Sequence, residues 1–238
     1  MLRLSVAVFF VFLANQSFAC VSQEELKSEF EKSVGGVVIS KEYESALIQK
    51  ISEALRNAPF DHPQYTLAVD RNPKVQIAAL VFVDKTNGLV KIIGADRTST
   101  GNPTRIGYFE TPLGWFANVP ANMNYRALGT KNSKGWRGLG AKGSRVWDLG
   151  WQATKTRKDE PYQIRLLVHA TDPDFGESRL GRVESKGCVR ISGRFNRLLD
   201  QYGVLDDAFE RDKRGERVLL RNRLPVENAG RYLLVVET

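Results

Sequence analysis

From Val75 to Ala95 the chain carries two apolar, β-branched runs, Val75–Asp84 and Leu89–Ala95, separated only by Lys85-Thr86-Asn87-Gly88. Runs of this kind on either side of a short Asn-Gly turn close as a β-hairpin, because the turn residues accept the backbone conformation that the strand twist demands. Further strands are expected near Gly114–Asn118, Arg145–Trp151, Ile164–His169 and Arg231–Val236. Helical spacing occurs before and after this β-rich stretch. Leu26, Phe30 and Val34, then Leu47, Ile48, Ile51 and Leu55, predict two helices parted by Gly35-Gly36 and stopped at Asn57-Ala58-Pro59. Ile191, Phe195, Leu198, Leu199 and Tyr202 mark one face of a third, ending at Gly203. The chain therefore reads as mainly β with a few helices, an α+β fold. A helical N-terminal region spans 20–63, and a β-rich domain of catalytic size spans 64–238.

Residues 1–19 stand apart. Arg3, an apolar run from Leu4 to Ala14, and small residues around Ser17-Phe18-Ala19 follow the order of an export leader cut after Ala19. The run is too short for a transmembrane span, and no other long apolar stretch occurs. Cys20 follows the cut directly, which makes it a candidate lipid anchor. Ser17 and Phe18 occupy positions where a lipoprotein signal carries leucine and a small residue. The mature protein is thus expected outside the cytoplasm, in the periplasm or cell envelope. The formal charge of +8 at pH 7 then points to an anionic envelope partner rather than nucleic acid.

The chain holds only two histidines and two cysteines. Cys188 has no prospective disulfide partner except Cys20 at the extreme N-terminus, and a thiol left unpaired in an oxidising compartment suggests reactivity. Lys186 and Arg190 flank it, and the third helix is expected to begin at Ile191 or Ser192. Positive potential from both sources would favour thiolate. Gly187, without a side chain, would let a substrate carbonyl reach the amide N–H groups of Gly187 and Cys188, forming an oxyanion hole. His169 closes the apolar strand Ile164–Val168 and enters a loop, where it is placed to act as base. The plainer alternative makes Cys188 a small buried hydrophobe and His169 a hydrogen-bonded structural residue. Two histidines so far apart in sequence cannot form a recognisable zinc spacing, so neither a metal nor a cofactor is expected. Gly138–Gly143 fits a dinucleotide fingerprint by letter, but it lacks the strand before and the helix after that would give the glycines that use. The segment Gly129–Trp151, with Trp136, Trp147 and Trp151, is either a candidate lid or a set of packing tryptophans.

The run Ser185-Lys186-Gly187-Cys188-Val189-Arg190, with a histidine upstream at a strand end, resembles the S-H-G-C-[VI]-R signature of the L,D-transpeptidase (YkuD-type) catalytic domain family. Ser99-Thr100-Gly101, Thr111-Pro112-Leu113-Gly114-Trp115-Phe116 and Arg179-Leu180-Gly181-Arg182 resemble further elements of that family, in the same order. The resemblance spans about Val75 to Leu199. Lys186 stands where the family motif has histidine, and Ala170 where glycine or serine is usual.

The resemblance implies an L,D-transpeptidase-like mixed β-sandwich. It also implies a cysteine enzyme acting on peptidoglycan stem peptides through a thioester. In it Cys188 is the nucleophile, His169 the base, and the carbonyl of Ala170 the group that holds the imidazole. Arg190, Lys186 and Ser185 are candidate substrate-binding residues. An L,D-carboxypeptidase or other stem-peptide hydrolase would use the same pair with water as acceptor. An inactive peptidoglycan-binding module is the reading from outside the enzymes.

Overall fold

A computed structural model describes residues 20–212 and 217–238. The leader expected over 1–19 lies outside the described residues. Among them no helix is long and apolar enough to cross a membrane.

The hairpin forms as its residues predict. β2 (Ile77–Asp84) and β3 (Leu89–Arg97) pair antiparallel, Asp84 opposite Leu89. β1 (Gln64–Asp70) adds antiparallel to β2 and parallel to β9 (Tyr232–Val236), and β4 (Gly114–Ala117) closes a five-stranded sheet of order β3-β2-β1-β9-β4. A second, four-stranded sheet has the order β5-β6-β7-β8. It comprises β5 (Tyr125–Arg126), β6 (Arg145–Lys155), β7 (Pro161–Ala170) and β8 (Val189–Ile191). β6 and β7 are antiparallel, β7 and β8 parallel. The short strands β5 and β8 carry too little pattern to be read from sequence.

Helix α1 (Gln23–Glu29) opens on a capping box, in which Ser22 and Glu25 satisfy each other's backbone N–H groups, and runs into a π turn over Phe30–Val34. α2 (Lys41–Leu55) buries Leu47, Ile51 and Leu55 against the face of the first sheet that shows Ala68, Val81 and Leu234. The other face of that sheet shares one core with the second sheet, α1, the π turn and α3 (Gly193–Gln201). A four-residue helix, α4 (Asp207–Glu210), follows.

The N-terminal helices pack on both faces of the first sheet. Leu26, Phe30 and Val34 are buried with Tyr65, Leu166 and Phe195, and the Phe30 and Phe195 rings meet edge to face at 5.2 Å. Both sheets lose core contacts if this segment leaves. Phe30→Ala is accordingly expected to cost about 3–5 kcal/mol in urea unfolding through a single transition, as for other buried aromatic truncations. A loss below about 1 kcal/mol would mean that the helical segment is dispensable to the core.

Candidate active site

Three stretches far apart in sequence meet around Cys188. The chain leaving β3 continues onto the edge of β8. Ser99 and Arg190 exchange backbone hydrogen bonds of 2.9 Å each, and Gly101 bridges Ser185 in parallel. Thr111 then joins the two loops. Its Oγ1 accepts from the Gly101 N–H at 2.9 Å and donates to the Gly187 carbonyl at 2.8 Å. Only glycine fits at 101, because a Cβ there would meet the Phe109 carbonyl oxygen at 2.0 Å and the Gly187 Cα at 2.9 Å. Gly187 itself holds φ +127°, a backbone conformation that side chains disfavour. Below this junction lies Gln76, fully buried. Its side-chain oxygen accepts from the Thr100 N–H at 2.7 Å, and its amide donates to Thr100 Oγ1 at 2.9 Å. No sequence pattern singled out Gln76.

β7 carries His169 to the same place. In the parallel pairing Val168 stands beside Val189 and His169 beside Arg190. Val168 and Val189 lie in the shared core. By strand alternation, Leu167, His169, Cys188 and Arg190 then belong to the opposite face. His169 is buried, and its Nδ1 lies 2.8 Å from the Ala170 carbonyl. A carbonyl oxygen can only accept, so Nδ1 carries the proton and Nε2 of the neutral ring is left as an acceptor. The Cys188 thiol is partly buried and directed at the Arg165 carbonyl, 3.9 Å away. Among the described residues no hydrogen bond joins Sγ to the imidazole.

The electrostatics differ from the sequence expectation. β8 intervenes between Cys188 and α3, whose N-cap is Ser192, so the thiol does not stand at a helix N-terminus. Burial raises the Cys188 pKa, with Asp148 adding to the rise, and the Leu167 backbone and then the positive charge of Arg190 oppose it only in part. Burial also pushes His169 down to about 4, with Arg190 acting in the same direction and the Ala170 bond against it. The resting pair is thus thiol and neutral imidazole, not thiolate and imidazolium.

Two further assignments change. Ser185 is fully buried, and its hydroxyl is occupied within the loop, accepting from the Gly187 N–H at 3.0 Å and donating to the Cys188 carbonyl at 2.5 Å. It shapes the loop rather than facing a substrate. The same contact engages the Gly187 N–H, so that amide is not a free oxyanion donor. The amide of Cys188 has no hydrogen-bond partner among the described residues and is the donor that remains. Lys186 is exposed, with Nζ 5.7 Å from the centroid of the Tyr108 ring. Arg190 is half-buried, its Nε enclosed without a partner among the described residues, and burial lowers its pKa.

Of the three tryptophans, Trp147 is a core residue, while Trp151 is exposed. Trp136 sits in the 129–144 loop, which Arg137 pins. The Arg137 N–H donates to Asp172 at 2.6 Å and its guanidinium pairs with Asp174 at 2.5 Å. Arg165, whose carbonyl the thiol faces, pairs through Nε with the buried Asp148 at 2.7 Å. Neither partner was legible as a site residue, since both read as ordinary strand positions. Among the described residues, no group of three His, Cys, Asp or Glu side chains is placed to share a metal ion.

No protein-family model matches this chain, and no curated protein matches it. Two solved structures of the helical cell shape determining protein Pgp2 from Campylobacter jejuni, one of them a mutant, are similar to it. The TM-scores are 0.34 and 0.33, with 13% and 14% identity over 91% and 80% of this chain. The chain spans 55% and 56% of their length. A likeness this distant carries no functional argument.

Two measurements check this site. Alkylation of Cys188 followed against pH is expected to show a midpoint above the roughly 8.5 of a free cysteine, with no inflection near the roughly 6.5 of a free histidine. A midpoint below the free-cysteine value would restore the ion pair. Thr111→Val leaves the buried Gly101 N–H and Gly187 carbonyl unpaired, so a loss of about 1–3 kcal/mol per group is expected in urea unfolding, together with slower alkylation of Cys188. An unchanged midpoint and rate would show that the Thr111 bridge holds nothing in place.

Proposed function

We propose that this protein is a cysteine acyltransferase of the L,D-transpeptidase kind, acting on peptidoglycan stem peptides outside the cytoplasm. The observation that carries the reading is the meeting of Ser99–Gly101, Thr111 and Ser185–Arg190 at one thiol, beside a histidine whose Nδ1 is tied to the next carbonyl. Those are the elements that resembled the family in sequence. Their junction gives each a physical role. Ser99–Gly101 and Thr111 align the cysteine loop, that loop bears the nucleophile, and the Ala170 carbonyl sets the tautomer of the base.

In this mechanism Sγ of Cys188 attacks the carbonyl between the third stem residue and the terminal D-alanine. The S–C bond forms as His169 Nε2 takes the thiol proton. Since the resting pair is neutral, transfer accompanies attack rather than preceding it. The Cys188 N–H faces the developing oxyanion, a donor of a type typically worth about 3 kcal/mol of barrier. The C–N bond then breaks and the imidazolium, strongly acidic in its buried site, protonates the departing amine. A thioester remains. An acceptor amine attacks it, passing its proton through His169 to the leaving sulfur. Water in the same place would release a shortened stem, the carboxypeptidase outcome. The intact Cys188 and His169 pair argues against a binding module without activity.

Incubating the protein with peptidoglycan, digesting it and weighing the fragments tests the reading: new crosslinks indicate transfer, and stems shortened by one D-alanine indicate hydrolysis. Groups acting as one unit are non-additive when removed. Cys188→Ala, His169→Ala and the double variant are therefore expected to lose nearly the same activity with unchanged melting temperature. Losses that multiply, or unfolding of His169→Ala, would make His169 a structural residue.

A further inference from the structure

Beside the cysteine loop is a cavity of about 500 Å³ whose walls come from four segments: the loop after Gly101, the 129–144 loop, the 171–179 stretch and the 184–190 motif. Six lysines and arginines line it against two acids. Both acids already have partners. Glu184 pairs with Arg179 at 2.6 Å, and Asp172 accepts from backbone N–H groups and lies 3.8 Å from Arg137. Arg105, Lys134, Lys186 and Arg190 form no ion pair with a described residue. Arg105 and Lys186 both lie 5.7 Å from the centre of the Tyr108 ring, so a single aromatic ring holds two like charges near each other. Arg190 adds an enclosed Nε with no partner among the described residues, an arrangement that is costly until an acceptor arrives. Trp136, with Arg179 5.0 Å from the centre of its ring, gives the cavity an apolar flank between its cations.

Four uncompensated cations spread over three walls suit more than one anionic group. A single carboxylate satisfies one guanidinium or ammonium and leaves the repulsion among the others. The apolar surfaces of Trp136 and Tyr108 suit a short aliphatic chain spanning the charges. We infer that this cavity is a subsite for a substrate segment bearing two or more carboxylates, so that the enzyme selects stem peptides with free acids over stems whose side carboxylates are amidated. The inference rests on the stem-peptide reading above and adds a charge requirement to it. It also gives Lys186 a role that a neutral histidine at the same position would not perform, because the lysine adds a permanent charge beside Arg190.

The test is competition in one vessel. The protein receives equal amounts of two synthetic tetrapeptide stems, one with free side carboxylates and one with these converted to carboxamides, and loss of the terminal D-alanine from each is followed by mass. The free acid is expected to react at least about tenfold faster in kcat/KM, the effect of one well-placed charge-assisted contact. That preference should largely vanish in Lys134→Ala/Lys186→Ala, whose melting temperature should hold or rise as repulsion is relieved. Raising the salt about tenfold should shrink the preference in the native protein too, since ligand carboxylates and cavity cations meet partly in solvent. This second readout stands even if the double variant does not fold. Equal rates for the two stems in the native protein would overturn the inference and leave Cys188 as a stem-peptide nucleophile. A preference that survives both the variant and the salt would place selectivity elsewhere and overturn it as well. If neither stem loses D-alanine, the inference and the stem-peptide reading fall together.

Discussion

Two backbone hydrogen bonds between Ser99 and Arg190 tie the chain leaving the first sheet to the edge strand of the second. Much of the remaining architecture depends on this bridge. A strand as short as Val189–Ile191 cannot hold its position by pairing with β7 alone, and the Ser99 segment occupies its other edge. With β8 fixed on both sides, the preceding residues must turn sharply to reach it, and Gly187 at φ +127° takes up that turn. Thr111 and Ser185 complete the clamp by engaging the polar groups that the turn leaves over. The thiol is thereby presented from a loop whose backbone has little freedom.

The same rigidity has an electrostatic consequence. Enclosing Cys188 and His169 raises one pKa and lowers the other, so both groups rest neutral. A neutral pair needs no charge partner in the buried face, which agrees with Asp148 being engaged by Arg165 rather than by the imidazole. Positive charge is instead gathered on the open side, at Arg190, Lys186, Lys134 and Arg105, where a ligand can meet it. The face around the thiol is thus divided: a proton-transfer pair in the enclosed part and uncompensated cations in the accessible part.

The extent to which the sequence could be read follows the range of the interactions concerned. Local signals were enough for the β2–β3 hairpin, for strands β4, β6, β7 and β9, and for α2 and α3, because alternation, turn chemistry and the helical repeat act over neighbouring residues. β5 and β8 escaped because strands so short show no period. The fate of Trp147 and Trp151 could not be separated, since the bulge between Asp148 and Trp151 decides which indole enters the core and which stays outside. The thiolate expectation failed for a related reason. The helix starts where it was expected, with Ser192 as its N-cap, but the residues between it and the cysteine form β8, and the surrounding protein removes the solvent that a thiolate would need.

What the sequence by itself determined was the cast: a lone internal cysteine after a glycine, a histidine at a strand end, and the Ser99–Gly101 and Thr111 elements in the same chain. Residue types and short spacings carry that much, because they state which chemistry is available. Only the tertiary structure decided how these groups are used. It turned Ser185 inward, engaged the Gly187 N–H, placed Gln76 beneath Thr100 and collected four unpaired cations into one cavity. Each of those outcomes depends on groups that are distant in sequence and share a hydrogen bond, a desolvated face or an electric field. Such couplings leave no periodic trace along the chain, and folding alone brings them within range.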